Sequence, residues 1–401
     1  MAWTAHKTEE EMVEHFDPPE VVQQTANGLA TWMSRARHMI VFTGAGISTS
    51  AGIPDFRGPE GVWTLRAKGV TRTRRTTSSL KAIPTPTHMA LVELERRGIL
   101  KYVISQNTDG LHRKSGLPPE KLSELHGNTN LERCSRCGAE YMRDYHVRNA
   151  YDVHDHRTGR TCVACGGELR DTIINFHESL PYEPLRKAQQ HAEMADLCLV
   201  LGSSCTVTPA ANFPRKVGRN PDAHLVICNL QHTPLDPLAS LRVNARCDDL
   251  MRAVMAALGY EIPPFILRRR LRVRVLRESG EVEVQGVDVD GKPASFLSSV
   301  QVLPYGAKIQ EPFRISREWQ RQMRSPQDKA ARGELPLRLH FMGHYNEPHL
   351  DITVHPEKPV TTYDLAYDPM TGQWDVRSGE EEEGAASSSS SSSSLRSGEN
   401  M

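Results

Sequence analysis

Two cysteine pairs, Cys134-x-x-Cys137 and Cys162-x-x-Cys165, carry the most specific chemistry in the chain. Two short loops that each present two thiolates close a tetrahedral shell of soft ligands, which suits zinc and leaves no open position for catalysis. The ion is therefore expected to be structural. A disulfide is the alternative, and a reducing compartment disfavours it. Cys198, Cys205, Cys228 and Cys247 lie singly and read as small buried hydrophobes. A second chemistry is written at Gly44-Ala45-Gly46-Ile47-Ser48, directly after the apolar Val41-Phe42-Thr43. A strand that runs into a glycine turn and a helix start lets backbone approach a pyrophosphate and presents N–H groups to it. Glycine pairs also end ordinary strands, so the turn needs company.

That company follows in the sequence. Asp55, Phe56 and Arg57 stand in a Gly/Pro-rich loop, where a guanidinium could pair with phosphate and an aromatic ring could shield a reacting sugar. The plain alternative is a surface loop with one buried aromatic. Gln106, Asn107 and Asp109 form a hydrogen-bonding cluster suited to a sugar or an amide. His126 is a candidate base, since a free imidazole titrates at about 6.5. A lone histidine is more often structural, so its neighbours decide.

The elements that would position these residues follow a βαβ rhythm. Helices are expected from Asp17-Pro18-Pro19 to near Arg37, from Thr87 to Arg97, and around Pro184 to Ala195. Strands are expected at Tyr102-Val103-Ile104, at Thr172-Ile173-Ile174-Asn175-Phe176, at Leu197-Cys198-Leu199-Val200-Leu201 and at Leu225-Val226-Ile227-Cys228. Continuous apolar runs of this kind belong to a parallel sheet buried on both faces. Gly44, Gln106, His126, Gly202-Ser203-Ser204 and Asn229-Leu230-Gln231 all fall just past such runs, where open α/β sheets bind ligands. The expected class is α/β: a Rossmann-like parallel sheet flanked by helices, with a small zinc-ribbon insert and a C-terminal β-rich appendage.

The 401 residues suffice for one large domain and an accessory one, and 49 basic residues balance 49 acidic ones. No global field draws the chain to nucleic acid, so such a contact needs a local patch. Candidates are Arg72, Arg74 and Arg75, and the run Arg268, Arg269, Arg270, Arg272, Arg274 and Arg277, each with a solvated surface as its alternative. No membrane span and no signal-peptide core are visible, which points to a nucleocytoplasmic chain. His146, His154 and His156 are expected to be exposed, and His340, His344, His349 and His355 are not expected to converge on a metal. The expected organisation is a polar segment 1–20, a catalytic domain 21–258 with the insert at about 128–170, a β-rich region 259–376, and a disordered Glu/Ser-rich tail 377–401.

Taken together, Gly44-Ala45-Gly46-Ile47-Ser48, Ile53-Pro54-Asp55-Phe56-Arg57, Gln106-Asn107-Thr108-Asp109-Gly110-Leu111-His112, Leu125-His126-Gly127 and the cysteine pairs resemble the sirtuins, NAD-dependent protein lysine deacylases. The resemblance covers about 21–258. Phe56-Arg57-Gly58-Pro59-x-Gly61-Val62-Trp63 resembles the chromatin-associated class with the sixth and seventh mammalian members, and Asn229-Leu230-Gln231-x-Thr233-Pro234 with Cys247-Asp248-Asp249 leans to the seventh.

The resemblance implies NAD, with its pyrophosphate on Gly44, Ala45, Gly46, Ile47 and Ser48 near Gly202, Ser203 and Ser204. It places Asn229, Leu230 and Gln231 toward the adenosine, Cys247 at the adenine, and Asn107 and Asp109 on the nicotinamide side. Asp55, Phe56, Arg57 and Gln106 complete the implied contacts. It also implies that the acyl-lysine oxygen attacks the ribose as nicotinamide leaves, that His126 removes a ribose hydroxyl proton, and that O-acyl-ADP-ribose is released. An acylated histone or other nuclear protein is the implied substrate, and the nucleus, with the nucleolus, the implied location. Mono-ADP-ribosyl transfer and a non-catalytic NAD- or ADP-ribose-binding scaffold for chromatin or RNA are the other readings. Thr49 in place of the usual third glycine, with no acidic ribose ligand about 20 residues downstream, counts against an ordinary dehydrogenase. Thr108 and Ser204-Cys205 also depart from the family pattern.

Overall fold

A computed structural model describes residues 8–71, 76–149, 153–288, 291–304, 306, 308–316 and 334–380. Its centre is a six-stranded, wholly parallel sheet in the order Leu241–Val243, His224–Cys228, Leu197–Leu201, Met39–Thr43, Leu100–Ser105, Leu122–Glu124. Alternate residues of each strand serve opposite faces. Met39 and Val41, with Leu199 and Val226, pack under the helices Pro19–Arg35, Pro86–Arg96 and Cys247–Leu258. Ile40 and Phe42, with Tyr102 and Val200, pack under Tyr182–Met194 and Asn212–Gly218. The continuous apolar runs are thus explained, because both faces of the sheet are dry.

The chain leaves Met39–Thr43 toward one side of the sheet and returns to Leu197–Leu201 on the other. Between these neighbours lies the topological switch point, and a crevice opens beyond their carboxyl ends. Within the long crossover stands a four-stranded antiparallel insert, Glu140–Met142, Leu131–Cys134, Glu168–Asp171 and Arg157–Thr161 in spatial order. The run at Thr172 is not a strand. It continues out of Glu168–Asp171 as a loop that passes beneath the histidine turn, where Ile174 N donates to the His126 carbonyl at 3.1 Å. Gly127 allows that approach, since a Cβ there would sit 1.8 Å from the Thr172 carbonyl oxygen. His156, expected outside, is half-buried between Asp171 and Glu178 at 3.0 and 3.1 Å.

The C-terminal region is two antiparallel sheets of five and four strands, packed around Leu271, Val284, Val300, Leu337 and Leu365. Leu335–Phe341 and Val360–Asp368 alternate buried and more open residues, whereas Val282–Val287 is buried along nearly its whole length. The last strand, Gln373–Glu380, runs into the stretch expected to be unstructured. Of the arginine run, Arg269 pairs with Asp144, Arg270 with Asp364, and Arg274 with Glu283, which also holds Arg314. Arg72, Arg74 and Arg75 lie outside the described residues. Among the described residues no helix is long and apolar enough to cross a membrane.

This region docks on the insert's side of the first domain. Met89 packs with Phe265, Leu267, Tyr345 and Tyr367. Asp144 takes Arg269 on its carboxylate at 2.7 Å and His344 Nε2 on its carbonyl at 2.6 Å. Breaking a mostly buried ion pair leaves one charge uncompensated, at a cost of about 3–5 kcal/mol. Asp144→Ala should therefore loosen the docking, read as faster amide exchange over 335–368 while the strands of the parallel sheet keep their protection; unchanged exchange would show the pair to be idle.

Candidate active-site cleft

The crevice at the switch point is a cleft of about 1240 Å³. Its floor is main chain. A Cβ on Gly44 would stand 2.6 Å from the Gly202 oxygen, and one on Gly46 would stand 2.6 Å from the Gly202 Cα, so the two strand-end turns touch backbone to backbone. Gly202 itself has φ +60, which favours glycine. The turn leads into a seven-residue 3₁₀ helix, Ala45–Ala51, where an ordinary helix start was expected, and Gly46 N donates to the Gly202 carbonyl at 2.9 Å. Glycine, serine and threonine hold a helix weakly, and Gly52 at φ 82 closes it ahead of Pro54.

Gly44, Ala45, Gly46, Asp55, Phe56, Arg57, Gln106, Asn107, His126, Gly202, Ser203, Ser204, Asn229, Leu230, Gln231 and Cys247 all line the cleft. Ile47, Ser48 and Asp109 do not. Ile47 packs in the core, and Ser48 Oγ donates to Asp109 Oδ2 at 2.7 Å while Asp109 Oδ1 accepts from Leu111 N at 2.9 Å. These three form the wall behind the cleft, joining the 3₁₀ helix to the turn after Leu100–Ser105. Further back, His112 Nε2 meets Thr43 Oγ1 at 2.9 Å, and burial pushes its pKa down to about 3, so it is neutral.

The strand ends aim their polar groups with little freedom. Asn107 Nδ2 donates to the Gly44 carbonyl at 3.0 Å, and Gln106 Nε2 to Ser203 Oγ at 2.8 Å. His126 Nδ1 lies 3.0 Å from the Gln106 carbonyl oxygen. A carbonyl only accepts, so Nδ1 carries the proton and Nε2 is the basic nitrogen. Burial lowers the His126 pKa, partly offset by that hydrogen bond. In the overlying loop Arg57 stacks over Trp63 at 4.6 Å, and Trp63 lies 4.5 Å from Phe56 and 5.7 Å from Phe176. Burial brings the Arg57 pKa down to about 10, which leaves it charged near neutrality.

Phe176, in the expected strand at Thr172, and Glu14 and Phe16, in the polar segment 1–20, also line the cleft, though the sequence does not mark them as site residues. Only Phe16, an aromatic beside Asp17-Pro18-Pro19, offered a local signal.

The four cysteines converge as expected, with all ligand atoms within 4.8 Å of one another, and they are the candidate metal cluster found among the described residues. Cys134 Sγ is 3.5 Å from Cys165 Sγ, and Cys137 Sγ is 3.6 Å from Cys162 Sγ, spacings that fit four thiolates around one zinc. Tyr141 O–H reaches Cys162 Sγ at 3.1 Å as an outer support. The cluster is at the far end of the insert, away from His126, so a metal there holds the fold.

Comparison with known proteins agrees with this geometry. The Sir2 family model matches residues 66–209. NAD-dependent protein deacetylase Sirt6 of Drosophila melanogaster is 40% identical over 260 residues, covering 63% of this chain and 81% of that relative. The chain belongs to the Sir2 family. NAD-dependent protein deacetylase SRT1 of Arabidopsis thaliana is 42% identical over 304 residues, covering 75% of this chain and 63% of its own length. NAD-dependent protein deacetylase sirtuin-7 of Homo sapiens is 44% identical over 260 residues, covering 62% and 64%. This Sir2 chain thus spans just under two thirds of the length of the latter two.

Two outcomes test the site's construction. Cys162→Ser should abolish retention of zinc, at about one per chain in the wild type, and unfold the insert, as structural zinc binding is worth roughly 10–16 kcal/mol in small domains; metal analysis with near-UV circular dichroism reads both. Gly202→Ala adds a Cβ against the Gly46 Cα at positive φ and should cost about 3 kcal/mol or more in a urea melt. A stable, unshifted Gly202→Ala would refute the backbone contact.

Proposed function

We propose that this chain is an NAD-dependent protein lysine deacylase. One observation carries the reading: His126 stands at the base of the cleft with Nδ1 tied to the Gln106 carbonyl, leaving Nε2 without a partner among the described residues. A neutral, oriented imidazole at the end of a dinucleotide-sized cleft is a general base, and the geometry gives it no other task. The names of the relatives, all NAD-dependent protein deacetylases, point the same way.

The residues fit NAD. The main-chain floor at Gly44, Gly46 and Gly202 admits a pyrophosphate, Arg57 offers a cation above it, and Asn107 and Gln106 stand beside His126 at the other end. NAD supplies an activated ribose from which nicotinamide can depart as an acyl-lysine oxygen arrives. His126 Nε2 accepts a hydroxyl proton of that ribose. Phe56 and Trp63 cover the site from water, and Asn107 holds the turn in place through Gly44. No protein nucleophile is needed.

A scaffold that only binds ADP-ribose would have no use for this base, which favours turnover. Mono-ADP-ribosyl transfer uses the same activated ribose and is the second reading. We place the chain in the nucleus, acting on an acylated histone or other nuclear protein, from its likeness to the sixth and seventh mammalian members. The ion pairs of Arg269, Arg270 and Arg274 weaken the case for nucleic-acid binding through that run.

The test is nicotinamide release from NAD with acetyl-lysine and myristoyl-lysine peptides. His126→Tyr should lower the peptide-dependent rate by about 100-fold or more, with O-acyl-ADP-ribose formed by the wild type alone. Peptide-independent release with ADP-ribose left on protein would support the second reading. The pH profile has a definite sign. The base works when neutral and its pKa is lowered, so kcat/KM should hold through neutrality and fall only below the usual 6.5 of a free imidazole. An acid limb above that value would overturn the assignment of His126.

A further inference from the structure

The residues 12–17 form a strap across one end of the cleft, with neither helix nor strand over 13–18. Main-chain bonds pin it. The Met12 carbonyl accepts from Gln231 Nε2 at 3.0 Å, His15 N donates to the Leu230 carbonyl at 2.9 Å, and Asp17 N donates to the Asn244 carbonyl at 2.8 Å. The Asp17 carboxylate returns the contact, accepting from Asn244 N at 2.7 Å. Because the strap is extended, neighbouring side chains diverge. His15 turns out against His232 at 4.9 Å, while Glu14 and Phe16 turn into the cleft.

Neither inward side chain is satisfied by the protein. The half-buried Glu14 carboxylate accepts no hydrogen bond among the described residues, and it faces the carboxylate of Asp55, with Arg246 as a partial counter-charge. Burial and Asp55 both raise its pKa. Phe16 is 57% exposed, lines both the main cleft and an adjoining hollow of about 280 Å³, and has the Arg246 guanidinium 6.0 Å from its ring. An exposed ring beside an acceptor without donors is the complement of a nucleoside, which offers a flat base to stack and a ribose diol to donate.

We propose that the strap is the nucleoside clamp of this cleft: Phe16 stacks on the adenine, and Glu14 accepts hydrogen bonds from the adenosine ribose hydroxyls and so selects NAD over its 2′-phosphorylated form. The inference rests on the dinucleotide reading above. It also supplies the acidic ribose ligand that the sequence lacks downstream of the glycine turn. A phosphate on the 2′ oxygen removes a donor and sets a dianion against Glu14 and Asp55. With Glu14 made neutral, one repelling carboxylate is gone while Arg246 stays to attract that phosphate.

The experiment titrates the full chain with ADP-ribose and with 2′-phospho-ADP-ribose by calorimetry. The wild type should prefer the unphosphorylated ligand. Phe16→Ala should weaken both ligands at least fivefold, and Phe16→Trp, which keeps an aromatic face, should restore them. Glu14→Gln should narrow the preference at least fivefold, a change that mere loosening of the strap would not produce because it would weaken both ligands alike. Thermal melts without ligand check that each variant is folded, and Ser substitution at 16 replaces Ala if that variant is not. Wild-type binding with variants inside twofold of it and an unchanged preference would overturn the clamp alone. Failure of the wild type to bind ADP-ribose would overturn the dinucleotide reading and the clamp together.

Discussion

Two strand ends touch through their main chains, and the rest of the molecule follows from that contact. The turn at Gly44 and Gly46 and the turn at Gly202 approach until no Cβ fits between them. Such an approach needs parallel neighbours in register, which Met39–Thr43 and Leu197–Leu201 provide residue by residue. Parallel register needs a crossover, and a parallel sheet needs both faces covered, hence helices on each side. The cleft is what remains where the covering helices cannot follow the strands past their ends. A floor made of backbone has no side chain to lose, so substitution can damage it only by adding atoms.

Around this floor the polar side chains are held from behind. Asn107 is anchored on the Gly44 carbonyl, Gln106 on Ser203, and His126 on Gln106, so each of these side chains is fixed by another residue of the cleft. Ser48 and Asp109 brace the wall without reaching the cleft. The insert is braced differently. Glu132, fully buried, lies between Arg143 and Arg160 at 2.7 and 2.8 Å, so one carboxylate ties three segments of a module too small to hold itself by apolar burial. Its four sulfurs complete what that ion network begins.

Much of this was legible in the sequence because the signals were local. Cysteine spacing set the metal cluster, and apolar runs bounded by glycine set the sheet and the line of residues at its carboxyl ends. What was not legible depended on distant partners. Ile47, Ser48 and Asp109 sit in the same motifs as their cleft-lining neighbours; the 3₁₀ winding of Ala45–Ala51 turns the first two inward, and Ser48 and Leu111 N hold Asp109 behind the wall. The run at Thr172 has strand composition, yet it is held by His126 and Asn128 in place of a ladder partner. Glu14 and Phe16 look like any polar leader until Leu230 and Asn244 pull them across the cleft. The arginine run left a polyanion contact and a solvated surface equally open because its acids, Asp144, Asp364 and Glu283, come from other segments.

The seam between the insert and the C-terminal sheets is written in one direction at a time. Arg143 Nη1 donates to the Pro293 carbonyl, Lys292 Nζ to the Glu140 carbonyl, and His344 Nε2 to the Asp144 carbonyl. Every acceptor in these three contacts is a peptide oxygen, present whatever residue stands there. At Pro293 and Glu140 the information that joins the two regions therefore resides in the donors, and the seam does not constrain the acceptor side chains there; Asp144 is the exception, because its carboxylate also takes Arg269. A lineage could rewrite those two acceptor side chains without separating what the seam joins.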